Sequence, residues 1–277
     1  MSLPTLIVPV FNAFEYLRSC LESITRTVPD DTRIILIDDA STDTRVRPLL
    51  EVWARQASTQ CELVVHEQNM GFVATANHGM RLSEADVVLL NSDTVVCGDW
   101  LSRLQTCLSS DPTIATATPW SNNGEIVSLP RFCHNNPPPE QAGTVAAVIA
   151  ACHRPVYPEI PTAVGFCMAI SATAIRRVGS FDEETFGRGY GEENDFCQRA
   201  IKVGLRNVVC DDAFIVHYGG ASFGPLGLQA DATSMQRLLT RHSHYQEDIE
   251  QFIHADPLAA RRQEILVCLE HAAVVLR

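Results

Sequence analysis

The chain has 277 residues, 46% hydrophobic and 19% charged, enough to bury a substantial core as one large domain or one domain with an appendage. Its formal net charge of -12 argues against a general nucleic-acid binder, because phosphate backbones attract Lys and Arg. That charge does not exclude an anionic small substrate held by backbone amides and a metal ion.

Strand and helix signals alternate through the first part of the chain. Leu6-Ile7-Val8-Pro9-Val10 predicts a short apolar strand, and Leu17, Leu21 and Ile24 follow at helical spacing before Pro29. Ile34 to Ile37 predicts a second strand, and Val46, Leu49, Leu50 and Trp53 a second helix. Leu63-Val64-Val65 predicts a third strand and Gly71 to Met80 a third helix. Val87 to Leu90 predicts a fourth strand, followed by a helix from about Trp100 to Leu108. Continuous apolar strands separated by amphipathic helices imply a mostly parallel sheet covered on both faces. From Ser121 to Thr162 the pattern breaks into a Pro- and Asn-rich segment with a helix between Glu140 and Cys152. Such excursions are usually functional, and this one is expected to cover an acceptor. Val164 to Ile170 returns to the core, Glu192 to Val203 predicts a helix, and Phe214-Ile215-Val216 a further strand. The remainder, from about Asp231, is predicted helical, with Asp256-Pro257 as cap and first-turn pair between two helices.

The ten cysteines show no C-x-x-C pair, and several lie in apolar strand-like runs, so they are expected to be reduced core residues of a cytosolic protein. No signal peptide is visible. The longest apolar stretches, Val145 to Cys152 and Ala163 to Ala174, are shorter than the roughly 20 residues that span a bilayer. The expectation is a soluble protein, at most peripheral at the inner face of a membrane.

In open parallel sheets, ligands sit beyond the carboxyl ends of the strands. Those ends here carry Pro9-Val10-Phe11-Asn12, Asp38-Asp39-Ala40-Ser41, Asn69-Met70-Gly71-Phe72 and Asn91-Ser92-Asp93-Thr94. The first strand–helix turn has no glycine, so neither a dinucleotide fingerprint nor a P-loop is present. Later, Gly187-Arg188-Gly189-Tyr190-Gly191 leads into Glu192-Glu193-Asn194-Asp195, with three carboxylates in four residues at a predicted helix start. A helix N-terminus offsets part of their repulsion, and the arrangement suits a positioned base. A plainer account makes them helix-start decoration, with Asp195 and Arg199 paired at i,i+4.

Taken together, these residues resemble the family 2 glycosyltransferases of the GT-A fold, over roughly residues 3 to 223 and with the motifs in order. The resemblance implies an α/β fold with a mostly parallel, Rossmann-like central sheet, helices on both faces and a C-terminal helical extension. It divides the chain into a nucleotide-sugar-binding and catalytic domain, 1–225, and a helical extension, 226–277. Pro9, Phe11 and Asn12 stand where an aromatic residue lies against the nucleobase. Asp38 and Asp39 stand where a carboxylate accepts from the base N–H, and Asn69, Gly71 and Asn77 where the family lines the nucleotide site. Asn91-Ser92-Asp93 takes the place of the D-x-D metal motif, with Asn91 at its first acidic position. Glu192 and Glu193 match the catalytic Glu-Asp element. His217, in Val216-His217-Tyr218-Gly219-Gly220, matches a late histidine that completes the metal site in some members.

The implied reaction is inverting transfer of a hexosyl or deoxyhexosyl unit from a nucleoside-diphosphate sugar to a saccharide, lipid-linked saccharide or protein acceptor. Mg²⁺ or Mn²⁺ on Asp93 and His217 serves the departing diphosphate, and Glu193, Glu192 or Asp195 takes the acceptor proton. The analogy extends to cell-surface polysaccharide assembly and leaves room for a homodimer. The alternatives are a noncatalytic nucleotide-sugar or carbohydrate-binding module, which needs no base, and a sugar nucleotidyltransferase, which would show an early basic, Gly-rich loop.

Overall fold

A computed structural model describes residues 3–187, 189–219 and 232–276. Arg188, Gly220 and the expected domain boundary at 225/226 lie outside the described residues. Four strands, β1 (Thr5–Val10), β2 (Arg33–Asp38), β3 (Gln60–Val65) and β4 (Val87–Leu90), run parallel in the order β3-β2-β1-β4. Three helices connect them: α1 (Phe14–Thr27), α2 (Val46–Gln56) and α3 (Phe72–Arg81). In β1 the side chains of Leu6, Val8 and Val10 point to one face and Ile7 to the other, and all are buried. β2 and β4 are buried likewise, which is why these strands read as unbroken apolar runs, whereas β3 at the sheet edge is only partly buried. Leu17, Cys20, Leu21 and Ile24 form the buried stripe of α1, while Val73, Ala76 and Met80 of α3 cover the opposite face.

The second half of the sheet is mixed. After β5 (Thr94–Val96) and α4 (Trp100–Ser110), β6 (Ile114–Ser121) enters the sheet. Then come α5 (Ala142–Cys152), the short β7 (Glu159–Ile160), β8 (Cys167–Ile170), α6 (Ala172–Val178), α7 (Glu183–Phe186), α8 (Glu192–Lys202) and β9 (Arg206–His217). β8 lies antiparallel between β4 and β6, β6 runs parallel to β9, and β5 and β7 pair antiparallel with β9. β6 has the sequence Ile-Ala-Thr-Ala-Thr-Pro-Trp-Ser and is buried throughout. Its Ala and Thr residues give little apolar signal, and Pro119 borders a register shift where a ladder bond is lost. β9 is twelve residues long, well beyond the predicted Phe214–Val216. Its buried Asp211 and Asp212 hide it, because aspartate is rare in strands. Both acids act as clamps. Asp211 accepts from the backbone N–H groups of Val156 and Tyr157 and pairs with Arg261, and Asp212 accepts from Arg103 at 2.7 Å.

Three helices close the chain: α9 (Ala232–Arg241), α10 (Tyr245–Ala255) and α11 (Ala259–His271). They share the core of the sheet, with Leu238 and Tyr245 on the α3 face and Ile265 and Leu269 on the α1 face. Two expectations change here. Asp256 does not open the last helix; it ends α10 in a left-handed conformation (φ 41°), and its side chain pairs with Arg262. The cysteines are not all reduced: Cys152 at the end of α5 is bonded to Cys268 in α11, and the other eight are free. The bonded pair is separated by 116 residues, so no spacing pattern announces it.

Gly79 lets α3 lie directly on β1. A Cβ there would fall 2.4 Å from Ile7 Cγ2 and 3.2 Å from Ile37 Cδ1. In an open helix, Gly to Ala stabilises by about 1 kcal/mol. Overpacking a filled core costs about 1–3 kcal/mol, and a 2.4 Å approach to a buried branched side chain lies at the severe end. Gly79→Ala is therefore expected to lower stability by about 1–2 kcal/mol, read as a reduced urea midpoint at unchanged slope.

Candidate functional site

A cavity of about 1090 Å³ opens at the carboxyl ends of β1, β2 and β4. It collects Pro9 and Phe11 after β1, Asp39 after β2, and Asn69 and Gly71 before α3. Asn91, Ser92 and Asp93 enter from the β4–β5 turn, Glu192 and Glu193 from the start of α8, and His217 from the end of β9. Eleven of the fifteen residues singled out from sequence thus border one space.

The other four lie elsewhere, each held by a structural bond. The side-chain oxygen of Asn12 accepts from the N–H groups of Thr42 and Asp43 and closes the loop after β2. Asp38 is buried and accepts from Ser41 N–H. Asn77 ties α3 to the approach of α7, donating to Phe181 O and Glu183 Oε1 and accepting from Phe181 N–H. Asp195 is fully buried and accepts from Arg199 Nε at 2.7 Å, Arg241 Nη1 at 3.0 Å and His242 Nε2 at 2.8 Å. It anchors α8 to α9, and its expected place among the catalytic acids gives way to that role.

Asp39 is aimed by its surroundings. Its Oδ1 accepts from Met70 N–H and His66 Nδ1–H, each at 2.8 Å, and its Oδ2 accepts from Gly71 N–H at 2.9 Å. A carboxylate has about four acceptor positions, so one remains on the atom that faces the fewest donors. His66 Nε2 lies 2.9 Å from His78 Nδ1, with the two rings coplanar to 2°. Nothing in the sequence marks His66, because its partners stand 27 and 12 residues away.

Strand register builds the next pair. Thr94 lies opposite His217 in the β5–β9 ladder, which brings Asp93 beside the histidine. His217 Nδ1 is 2.7 Å from the Asn123 carbonyl and must carry the proton there. In the neutral ring its Nε2 carries the lone pair, 3.5 Å from Asp93 Oδ1. Phe166 stacks on the ring, and Asn122 holds the strand end by accepting from His217 N–H and donating to His217 O. Two acceptors facing each other at this distance form no hydrogen bond but fit a shared cation, and one oxygen with one imidazole nitrogen suits a divalent metal. Among the described residues no group of three or more His, Cys, Asp or Glu is gathered for a metal. Asp93 and His217 would thus be a partial ligand set, completed by a ligand and water.

At the start of α8, Glu192 is buried and Glu193 beside it is half-buried. Gly191 enters the helix at φ 102°, and a Cβ there would fall 2.9 Å from Phe186. Burial first, and then the neighbouring Glu193 charge, raises the Glu192 carboxyl well above its usual range. Burial also raises Glu193, but its hydrogen bonds with the α8 backbone and with Glu192 oppose the rise. Glu192 therefore keeps its proton the longer and offers it to Glu193. One oxygen of each carboxyl is buried without a hydrogen-bond partner. Burial and then the Glu193 charge also raise the phenols of Tyr190 and Tyr245, which border the same cavity. Trp120 lies in the core and donates to Asp211 O, whereas Asn135 to Pro138 of the Pro/Asn-rich segment reach the cavity.

Residues 5–179 match the sequence model of Glycosyl transferase family 2. Glycosyltransferase GlyG of Streptococcus pneumoniae serotype 4 is 30% identical over 102 residues, covering 36% of this chain and 33% of that protein. The chain spans about a third or less of the first curated relatives it matches. GalNAc-T7, solved with UDP, GalNAc and Mn²⁺, superposes with a TM-score of 0.62 at 15% identity, over 92% of this chain and 58% of that one. The mannosyltransferase PcManGT of Pyrobaculum calidifontis, solved with GDP-Man and Mn²⁺, gives 0.57 at 16% identity, over 97% and 74%. These likenesses establish the GT-A fold.

Asp195→Ala would leave Arg199, Arg241 and His242 around an empty centre. Breaking such a buried pair costs about 3–5 kcal/mol, and the partial exposure of both arginines favours the lower figure. Burial opposes the Asp195 charge, but the bonds from His242, Arg199 and Arg241 outweigh it and hold the carboxyl below its usual range. That stabilisation is present above the ordinary aspartate pKa of about 4 and is lost as pH falls through the lower folded value. Urea titrations of wild type and Asp195→Ala should therefore differ most near neutrality and converge in strong acid.

Proposed function

Because the chain belongs to Glycosyl transferase family 2, we propose that it transfers a hexosyl or deoxyhexosyl unit from a nucleoside-diphosphate sugar to an acceptor hydroxyl, with inversion. The observation that carries this reading is one cavity bordered both by the Asp93–His217 pair and by the Glu192–Glu193 pair. A noncatalytic binding module has no use for two adjacent, incompletely bonded carboxyls.

In this reading Phe11 lies against the nucleobase and the remaining acceptor of Asp39 takes a base N–H, with His66 holding the carboxylate in place. Asn91 and Ser92 serve the ribose or the sugar. Asp93 and His217 would hold Mg²⁺ or Mn²⁺, which when bound supplies charge neutralisation for the departing diphosphate. The Mn²⁺ present with GalNAc-T7 and PcManGT supports that assignment. Glu193 takes the proton of the acceptor hydroxyl as its oxygen attacks the anomeric carbon from the side opposite the leaving group. Glu192 stays protonated and donates to Glu193, keeping one negative charge on the pair. Enclosure of both substrates supplies orientation and excludes water.

The catalytic part is assigned to residues 1–225 and the helical extension to 226–277, with α9 and α10 completing the acceptor side. No described helix is long and apolar enough to cross a membrane. This is compatible with the proposed place on the cytoplasmic side of cell-surface polysaccharide or glycoconjugate assembly. The acceptor is a saccharide end, free, lipid-linked or on protein.

Two measurements test the assignment. In thermal-shift screening, one of UDP, GDP or dTDP with Mn²⁺ should raise the melting temperature, and Asp93→Asn should remove the metal-dependent part. No shift with any of the three would sink the donor reading. With the donor so found, Glu193→Gln should lower kcat by about 10²–10⁴-fold at a similar donor KM, while Glu192→Gln, which still donates to Glu193, should lose far less. The reverse ranking would move the base to Glu192. Because burial raises the pKa of Glu193, wild-type activity should climb with pH along a limb above the ordinary glutamate value of about 4.3.

A further inference from the structure

The side of the cavity beyond the two glutamates belongs to this chain's C-terminal helices. Tyr245, Ile249 and Ile253 recur every four residues along α10 and border the cavity as one stripe, joined by Met235 of α9. Glu247, Asp248 and Glu250 fall between them, off the stripe, and all three are exposed. Met235 and Ile253 remain 45% and 42% exposed, unusual for large apolar side chains bordering a polar cavity. The stripe is fixed relative to the base. Asp195 on α8 holds Arg241 and His242 just ahead of α10, and Ser234 O lies 3.9 Å from where a Cβ on Gly191 would stand. The cavity's charges point the same way. Its described lining carries Asp39, Asp93, Glu125, Glu192 and Glu193, with no Lys or Arg.

We propose that the α10 stripe is an acceptor subsite selecting an uncharged glycoside that presents an apolar aglycone, and that it rejects acceptors carrying a carboxylate or phosphate beside the reacting hydroxyl. The inference rests on the glycosyl-transfer reading and names its acceptor class. An apolar aglycone along Ile249, Ile253 and Met235, on the side of the buried Tyr245, covers surface otherwise left to water. An anionic acceptor would enter a cavity lined by five acidic residues and, among the described residues, no Lys or Arg.

The test reads binding directly and needs no turnover. Octyl glucoside and octyl glucuronide, both below their micellar concentrations, are titrated calorimetrically into the full chain. The neutral glycoside should bind at least ~10-fold more tightly, equivalent to about 1.4 kcal/mol. Ile253→Lys, at a position exposed enough to accept the change, should reduce that preference by ~10-fold or invert it, a single charge acting at close range. Ile249→Lys should act in the same direction, with circular dichroism confirming its fold. Equal binding of the two glycosides, tighter binding of the glucuronide to wild type, an unchanged preference in Ile253→Lys, or no binding of either probe would each overturn the inference. If a nucleoside diphosphate with Mn²⁺ still stabilises the protein, only the acceptor class has failed; if it does not, the transfer reading has failed with it.

Discussion

Two carboxyls, one buried and one half-buried, are brought together at the first turn of α8, and much of the surrounding structure answers that constraint. Removing an ionised carboxylate from water costs several kcal/mol. A helix N-terminus returns only about 0.3–1 kcal/mol for a nearby anion, up to about 2 in favourable geometry. The N-terminus of α8 therefore cannot sustain full ionisation of both Glu192 and Glu193, and the pair holds a proton between them. Its position is enforced from outside: Phe186 fills the space a side chain on Gly191 would need, and Asp195 bolts the helix to α9. Three carboxyls that look alike in sequence end in three environments: Glu192 is raised furthest, Glu193 is raised against opposing hydrogen bonds, and Asp195 is held below its usual range.

β9 does the corresponding work across the cavity. Its Asp211 and Asp212 gather the 156–157 backbone, α4 and α11 through hydrogen bonds and ion pairs. Its other end is held by Asn122, Asn123 and the β5 ladder, so the His217 ring can turn little. On the proposed reading, a ligand nitrogen on a rigid strand, with its tautomer set by a backbone carbonyl, is better aimed than one on a loop.

The half of the fold built from β1 to β4 was legible because β1, β2 and β4 are buried on both faces and carry unbroken apolar runs, while the edge strand β3 keeps a short one in Leu63-Val64-Val65. β6 and most of β9 were not, since they include buried Thr, Ala and Asp residues whose polar atoms find partners in the sheet, in neighbouring backbone and in arginines of α4 and α11. The site was legible to the same depth. Polar residues at strand ends were found together, but local sequence does not separate those bordering the cavity from those closing a turn. Asp38 and Asp39 are adjacent and chemically identical, yet one closes its own loop and the other borders the cavity. Asn12 and Asn77 are similarly engaged with backbone. His66 and the α10 stripe depend on distant contacts and left no local trace.

The charge of the cavity joins its two ends into one argument. A nucleoside diphosphate would bring further negative charge to a lining whose described members are acidic or neutral, apart from one histidine. Dipoles can help: Gly71 and Phe72 open α3 beside Asp39, and the positive end of a helix dipole favours an anion. A helix end supplies only about half a unit of positive charge, too little to balance a diphosphate. On the proposed reading, donor affinity is therefore set chiefly by the cation at Asp93 and His217. The acceptor end receives no such help, and there the same electrostatics that make the donor depend on a metal make neutrality a condition of entry.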